Sequence, residues 1–489
     1  MTTIDQNQTT RDSSAGGRRP RIVVLSSSLL TDRMLMHTHF RQRLSAGADV
    51  QLWTMSASSP NFVPPELVDG CEILPLPAII PFKQFPYNYA RRMNEAAWDF
   101  AQKSPSRASI RKHIPNRWGG KWVQATTLPG RLAAMLGLQQ PLEDWVERLC
   151  LSYPRSPEAV ERLKAFQPDL VVATGPHRYE EPAIVAAAKN LDIPVITLIT
   201  SWDNLSTKNR MVFKYDGYLV WSEHMERELA ELYPQTRGLP VYRVGAPQFD
   251  ALFDERFKIS KEEFCAANRL RPDRPIILHT LGSPNFTPGE VHAAYYMAER
   301  VARGDLGEAQ LLVRPHPLFE VGDEEKSFAK FGPRVVVQRT GQASSKTNMR
   351  SQNHEQIIDW VNSFRYCDVM VNLFSTVAVD AAILDKPIVN LDYDPGPGQP
   401  WQEMIKDVNH VWSHFKPITE SGGMWTVQNN EEMFEAVKGY LADPSLHRAR
   451  RRWIAEFVAG YIDGRCGERM GEAVLDFART HAAVFEQAS

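Results

Sequence analysis

Two segments in the second half of the chain constrain its fold more than any others. Leu311-Leu312-Val313-Arg314-Pro315-His316-Pro317 is an apolar run that ends in Arg-Pro-His-Pro. Residues 366–392 read as a strand (369–372), Ser375-Thr376, a helix (377–384), Lys386-Pro387 and a second strand (388–391). Two apolar strands around a short helix make a βαβ unit, which requires a parallel sheet. Ligands of such sheets sit at the carboxyl ends of the strands. His316, Ser375 and Thr376 all fall on that edge. Ser375 and Thr376 also open a helix, where free N–H groups and the helix dipole favour a phosphate. An imidazole and a phosphate cradle on one edge predict a site for a nucleotide monophosphate or diphosphate.

The same alternation runs through most of the chain. Strands are predicted at 22–25, 50–54, 170–174, 195–200, 218–220 and 241–244, with helices at 31–44, 157–166, 181–190 and 223–232 between them. Gly245-Ala246-Pro247-Gln248 then breaks the pattern. A second series has strands at 276–281, 310–313 and 334–338, helices at 291–303 and 356–363, and then the βαβ unit. Helices at 431–441, 447–461 and 471–485 close the chain. The predicted fold is α/β, two Rossmann-like domains facing a cleft. Residues 21–245 form the first domain and 246–440 the second, and 441–489 are expected to cross back to the first. Residues 62–145 show no clear period and read as an irregular insertion with short helices. Residues 341–353 are polar and read as a mobile loop.

A chain of 489 residues is too long for one core. No apolar run approaches the roughly 20 residues that cross a bilayer. Residues 1–20 are polar and read as a disordered tail, not a secretory signal. The five cysteines are far apart with no CxxC pair, which fits a reducing cytoplasm and argues against a zinc site. The formal net charge of −2 points to no polyanionic partner.

The chain resembles the GT-B glycosyltransferases, closest to the group of CDP-glycerol glycerophosphotransferases, capsule-type Kdo transferases and bacterial sialyltransferases. The resemblance rests on Arg314-Pro315-His316-Pro317, on Ser375-Thr376 with Asp380, on Val244-Gly245-Ala246-Pro247-Gln248-Phe249-Asp250, and on Ser201-Trp202-Asp203-Asn204 with Lys208. It covers most of the chain from Arg21 except 62–145. It implies that the His-Pro pair holds a nucleotide, often a cytidine one, and that the Ser/Thr pair holds its phosphate. The acidic triplet that supplies the base in bacterial sialyltransferases has no match here. The resemblance also implies metal-independent chemistry and no cofactor, with a CMP/CDP- or UDP-type donor as substrate.

Each candidate residue has a plain structural reading beside the functional one. His316 donates to a phosphate or is a turn histidine fixed by Pro315 and Pro317. Arg314 contacts the nucleotide or forms a structural ion pair. Ser375 and Thr376 hold phosphate or merely cap a helix. Asp380 takes ribose hydroxyls or faces solvent. Gly282 and Ser283 bring backbone close to a ligand or form a tight turn. For the base that accepts the acceptor's proton, Asp203 comes first, with Asp32, His37 and His177 as the other candidates. Asp203 has an Asx-turn as its alternative. The stretch 103–131 carries Lys103, Arg107, Arg111, Lys112, Arg117, Lys121 and Arg131 with Trp118 and Trp122 and no acidic residue. It reads as a solvated basic face or as a surface resting on anionic lipid. No nucleic-acid recognition fold accompanies it.

The function this predicts is transfer of a sugar, or glycerol phosphate, from a nucleotide donor to a glycan or lipid-linked acceptor. It would act in the cytoplasm or at the inner face of the membrane. The rivals are an isomerase of the UDP-N-acetylglucosamine 2-epimerase type and a non-catalytic nucleotide-sugar-binding protein of a polysaccharide pathway.

Overall fold

The computed structural model describes residues 18–59, 62–114, 121–283, 286–316, 326–338 and 354–488. Most of the predicted tail, the whole 341–353 loop and Pro317 lie outside them.

The first sheet has seven strands: β1 (Arg21–Ser26), β2 (Asp49–Thr54), β3 (Cys71–Pro75), β4 (Leu170–Ala173), β5 (Val195–Leu198), β6 (Gly217–Val220) and β7 (Val241–Arg243). Their order is β3-β2-β1-β4-β5-β6-β7. The second has β8 (Ile276–Thr280), β9 (Gln310–Arg314), β10 (Val335–Val337), β11 (Val369–Asn372), β12 (Ile388–Leu391) and β13 (Trp425–Val427), in the order β10-β9-β8-β11-β12-β13. Every pairing in both sheets is parallel. The central strands are buried on both faces, which is why they read as unbroken Val/Ile/Leu runs. The α/β class with two Rossmann-like sheets is therefore the fold.

The predicted helix 31–44 is two helices, α1 (Leu29–Met36) and α2 (Phe40–Ser45), broken at His37. The stretch 62–145 departs most from expectation. It supplies β3 and then the helices α3 (Tyr87–Gln102), α4 (Pro105–His113), α5 (Lys121–Met135) and α6 (Gln139–Leu151). The buried face of α3 carries Arg91, Asn94 and Glu95 beside Ala90, Ala97 and Trp98, so charged and polar side chains lie within the buried face. On α5, apolar side chains occupy two faces, which also hides the period. Gly130 faces α3 so tightly that a Cβ there would lie 2.4 Å from the Met93 carbonyl oxygen. On the other face Leu128, Leu132, Met135 and Leu136 are exposed.

The basic reading of 103–131 needs correction. Arg107 is buried and pairs with Glu95 and Asp99, Arg111 pairs with Asp99, and Lys112 pairs with Glu403. The neutralising carboxylates come from outside the stretch, where a local count cannot see them. Arg117 lies outside the described residues.

Two helical contacts tie the domains. Helix α4 packs on α7 (Gln402–His410): Ser109 Oγ donates to Asp407 at 2.8 Å, and His113 Nε2 lies 2.9 Å from the same carboxylate. The last helix, α8 (Cys466–Ala488), lies against α2 and β6 of the first domain. One apolar cluster consequently runs through both domains, joining Trp202 and Leu205 to Trp412, Phe415 and Met424.

Gly130→Ala is expected to destabilise the chain by about 1–3 kcal/mol, because backbone and not a flexible side chain opposes the new methyl group. Urea unfolding against the wild type checks this, and an unchanged midpoint would show that α3 and α5 are not locked together.

Candidate active site

Residues from both sheets meet at their carboxyl edges. On the second sheet, β9 ends in Arg314 and leads to the partly buried His316. β11 leads through Leu373 and Phe374 to Ser375 and Thr376, which open α9 (Val377–Ile383). Thr376 makes no side-chain cap bond, and Ser375 and Thr376 are both partly exposed. Phe374 holds φ at +34°, a conformation that costs energy for a residue with a Cβ. Its N–H donates to Asn390 Oδ1 at 3.1 Å, which helps to hold the turn.

Gly282 and Ser283 follow β8 on the same edge. The Gly282 N–H donates to Glu290 Oε2 at 2.5 Å, and a Cβ at Gly282 would meet that oxygen at 2.9 Å. A side chain at this position would press on a buried carboxyl group that has to move aside. Burial pushes Glu290 up to about 8, against the pull of the Gly282 and Leu373 N–H groups. Glu290 is thus bonded to the loop after β8.

Asp380 is not the solvent-facing helix residue the sequence left open. It is buried and accepts a hydrogen bond from Trp360 Nε1 at 2.9 Å. Burial raises its carboxyl to about 7, while Arg33 and Arg314 pull the other way. Arg314 bonds to Gln338 Oε1 and reaches Ser363 Oγ at 3.4 Å. Burial lowers its guanidinium to about 10. Arg33 comes from α1 of the first domain, and its guanidinium lies 4.3 Å from the Trp360 ring centre. This contact, which local sequence gives no hint of, brings the first domain's edge against the second's.

On the first sheet, Asp203 and His177 are brought together. Asp203 follows β5, accepts from Thr207 Oγ1 at 2.9 Å, and lies 3.8 Å from Lys208 Nζ. Burial alone would raise its carboxyl, but Lys208, His414, Ser201 and Thr207 outweigh it and hold the group below the usual carboxylate range. His177 follows β4 and is paired through Nδ1 with the Asn209 carbonyl at 2.6 Å. Burial lowers it to about 4, so it is neutral, and the charges of Lys208 and Asp203 both reach it. His414, from the second domain, packs edge-on against Trp202 at 5.0 Å.

The other two base candidates stand apart. Asp32 is buried and accepts from Ser26 Oγ at 2.6 Å, Thr54 Oγ1 at 2.7 Å and Ser56 Oγ. That arrangement ties the ends of β1 and β2 and leaves little capacity for a substrate. His37 lies edge-on to Phe257 at 6.2 Å.

Stability should report the buried Glu290 carboxyl. Its raised value means that folding holds a proton the unfolded chain has lost above its ordinary value of 4.5. The protonated form therefore supports the fold at low pH, and that support is lost as pH rises through about 8. Glu290→Gln should gain stability relative to the wild type between pH 5 and pH 9, by a few kcal/mol at most at about 1.4 per pH unit. Urea midpoints measured at both pH values check this, and a constant difference would sink it.

Residues 197–476, more than half the chain, match the model of the CDP-glycerol:poly(glycerophosphate) glycerophosphotransferase family. No curated protein sequence matches the chain. Among solved structures, the Staphylococcus aureus MnaA–UDP complex superposes with a TM-score of 0.51 at 10% identity, over 94% of this chain and 97% of that one. UDP-GlcNAc 2-epimerase from Neisseria meningitidis bound to UDP-GlcNAc gives 0.50 at 12%, over 93% and 100%. The wall teichoic acid polymerase TagF with CDPG gives 0.50 at 11%, over 95% and 90%. At such identities these structures share the fold. The family match covers the end of the first domain, all of the second and most of the closing helices, and on it the chain belongs to the CDP-glycerol:poly(glycerophosphate) glycerophosphotransferase family, as a nucleotide-donor transferase of the GT-B fold.

Proposed function

We propose that the enzyme transfers glycerol phosphate, or a sugar, from a cytidine-diphosphate donor to the hydroxyl of a glycan or lipid-linked acceptor. The observation that carries this reading is the pairing of unlike chemistry on the two edges. The second domain offers His316, Ser375 and Thr376, which suit a phosphate. The first offers an ionised carboxylate, Asp203, beside Lys208.

In this mechanism the acceptor oxygen attacks the donor while negative charge builds on the departing nucleotide phosphate. The hydroxyls of Ser375 and Thr376 and the imidazole of His316 stabilise that charge. Asp203 takes the acceptor's proton. A carboxylate held this low is always ionised but binds a proton weakly, so its proton transfer must accompany bond formation. His177, neutral and fixed through Nδ1, lines the same corner and orients the acceptor.

Calorimetry on the full chain should show micromolar-range CDP binding, as ordinary for a nucleotide substrate, weakened by about tenfold or more in His316→Ala. Asp203→Asn should bind CDP like the wild type yet lose roughly 10²–10⁴ in turnover. Preference for UDP over CDP, or full turnover in Asp203→Asn, would refute the donor and the base respectively.

We further propose that helix α5 rests on an anionic membrane surface and brings a lipid-linked acceptor within reach. Leu128, Leu132 and Met135 share one face of α5 at about 3.6 residues per turn, and Leu136 follows directly after its last residue. They are 65%, 47%, 67% and 71% exposed, with Arg131 exposed beside them. An apolar stripe edged by a cation suits the interface between headgroups and acyl chains. Among the described residues no helix is long and apolar enough to cross a membrane. The chain should sediment with phosphatidylglycerol vesicles, and Leu132→Glu with Leu136→Glu should release it. Undiminished sedimentation of that double variant would remove α5 from the contact.

A further inference from the structure

Two guanidinium groups, one from each domain, share a buried carboxyl group beside the donor edge. Arg33 lies on α1 of the first domain, and Arg314 ends β9 of the second. Asp380, on α9, is 4% exposed, and the charges of both arginines reach it. Among the described residues, Asp380 is the carboxylate whose charge reaches Arg33, while Asp359 acts on Arg314 and not on Arg33.

Trp360, on the helix His354–Tyr366, joins the two sides. Its ring centre lies 4.3 Å from the Arg33 guanidinium, and its Nε1–H donates to Asp380 Oδ1 at 2.9 Å. The indole thus binds the first domain's cation through its ring and the second domain's carboxyl group through its N–H. A contact of this form fixes where Arg33 sits relative to Asp380 without closing a direct ion pair.

Two cations around one carboxyl group oppose each other. Burial lowers the Arg314 guanidinium, and the charge of Arg33 lowers it further. The cluster is therefore costly taken alone, since little water remains to screen it. Its position gives the surplus a use. Arg314 leads through Pro315 directly to His316, and Asp380 follows Thr376 by one helical turn. A positive surplus behind these residues favours an anion at the edge, and it does so through the protein interior without touching the ligand. Arg33 is the part of that surplus that comes from the first domain.

We propose that Arg33 is a positioning residue for the donor, through which the first domain, by way of Trp360 and Asp380, sets the charge and geometry of the edge that receives the donor's diphosphate. This rests on the reading of His316, Ser375 and Thr376 as the residues that hold that diphosphate. The first domain is then more than a platform for the acceptor. The donor binds tightly while the domains are packed together, and withdrawal of α1 loosens the spent nucleotide.

Calorimetry with CDP on the full chain at pH 8 tests this. Burial raises Asp380 to about 7, so at pH 8 most of it is ionised. The charged groups that face it are Arg33 and Arg314, with Asp359 beyond Arg314. Arg33→Met should weaken CDP binding about tenfold, and Arg33→Lys, which returns the cation, should restore most of the loss. Asp380→Asn keeps an oxygen for the Trp360 N–H but removes a negative charge, so it should tighten CDP binding by about threefold. Opposite signs mark a charge effect, whereas a purely structural role loosens the site in both variants. Urea midpoints establish that each variant is folded. Weaker binding in both Arg33→Met and Asp380→Asn overturns the proposal. So does wild-type affinity in Arg33→Met where His316→Ala has lost it, and the donor reading then stands. CDP binding that His316→Ala leaves intact refutes the donor reading instead, and no binding by the wild type refutes both.

Discussion

Parallel pairing is the constraint on which the rest of this structure depends. A parallel strand cannot turn straight back on its neighbour, so each must be followed by a crossover that returns the chain to the starting edge. All strands of a sheet then end on one side, and every loop after a strand is delivered to the same edge. Residues far apart in sequence meet there for that reason alone. His177, after β4, and Asp203, after β5, come together without any direct link between them. On the second sheet the same rule assembles Gly282, Arg314 and Ser375 from three separate strands. The domains are held edge toward edge by contacts of a different kind: α4 on α7, and Arg33 on Trp360.

Buried charge is the second theme, and its cost explains several details. Glu290 and Asp380 are carboxyl groups in places where ionisation is disfavoured. Each is bonded by a donor from a neighbouring element, Glu290 by the Gly282 N–H after β8 and Asp380 by the indole of Trp360 on the preceding helix. Their value lies in fixing geometry, since an apolar side chain of similar size would be as stable but would not orient a loop. Arg107 does the same for the helical insertion. It binds Glu95 and Asp99 on α3 and donates to the Lys208 carbonyl, which ties the insertion to the loop that carries Asp203.

The sequence displayed the sheets clearly because their strands are buried on both faces and cannot be mistaken for surface elements. It located the edge residues for the same reason: position at a strand end is a one-dimensional property. The insertion was hard to read because its helices bury Arg91, Asn94 and Glu95 among apolar residues and expose Leu128 and Leu132, which blurs the pattern that marks a helix. The weak terminal strands β3 and β13 were missed since both lie at sheet edges and are only partly buried. The basic run misled because its neutralising carboxylates lie outside it: Asp99, just upstream, pairs with Arg107 and Arg111, and Glu403, far along the chain, pairs with Lys112. Arg33 and His414 could not be found, because their contacts exist only once the two domains are packed, and Glu290 because its partner Gly282 lies on a separate loop of the same sheet edge.

The environment of Asp203 bears on what kind of base the enzyme needs. An isolated buried carboxyl would be raised and would hold a proton near neutral pH, which suits a base that must compete with water. Here Lys208 and the surrounding hydroxyls reverse that tendency and favour the anion. The cost is a lower affinity for the acceptor's proton, and the gain is that every molecule carries the charged form. Such a base serves a reaction in which the hydroxyl becomes acidic as it bonds to the electrophile, so that the proton moves late. It serves poorly where an alkoxide must form first. In the proposed mechanism a late proton transfer would place the main burden on stabilising the leaving phosphate, and that burden would fall on the second domain. The two sheets would then divide the labour, with recognition and charge stabilisation on one edge and an ionised proton acceptor on the other.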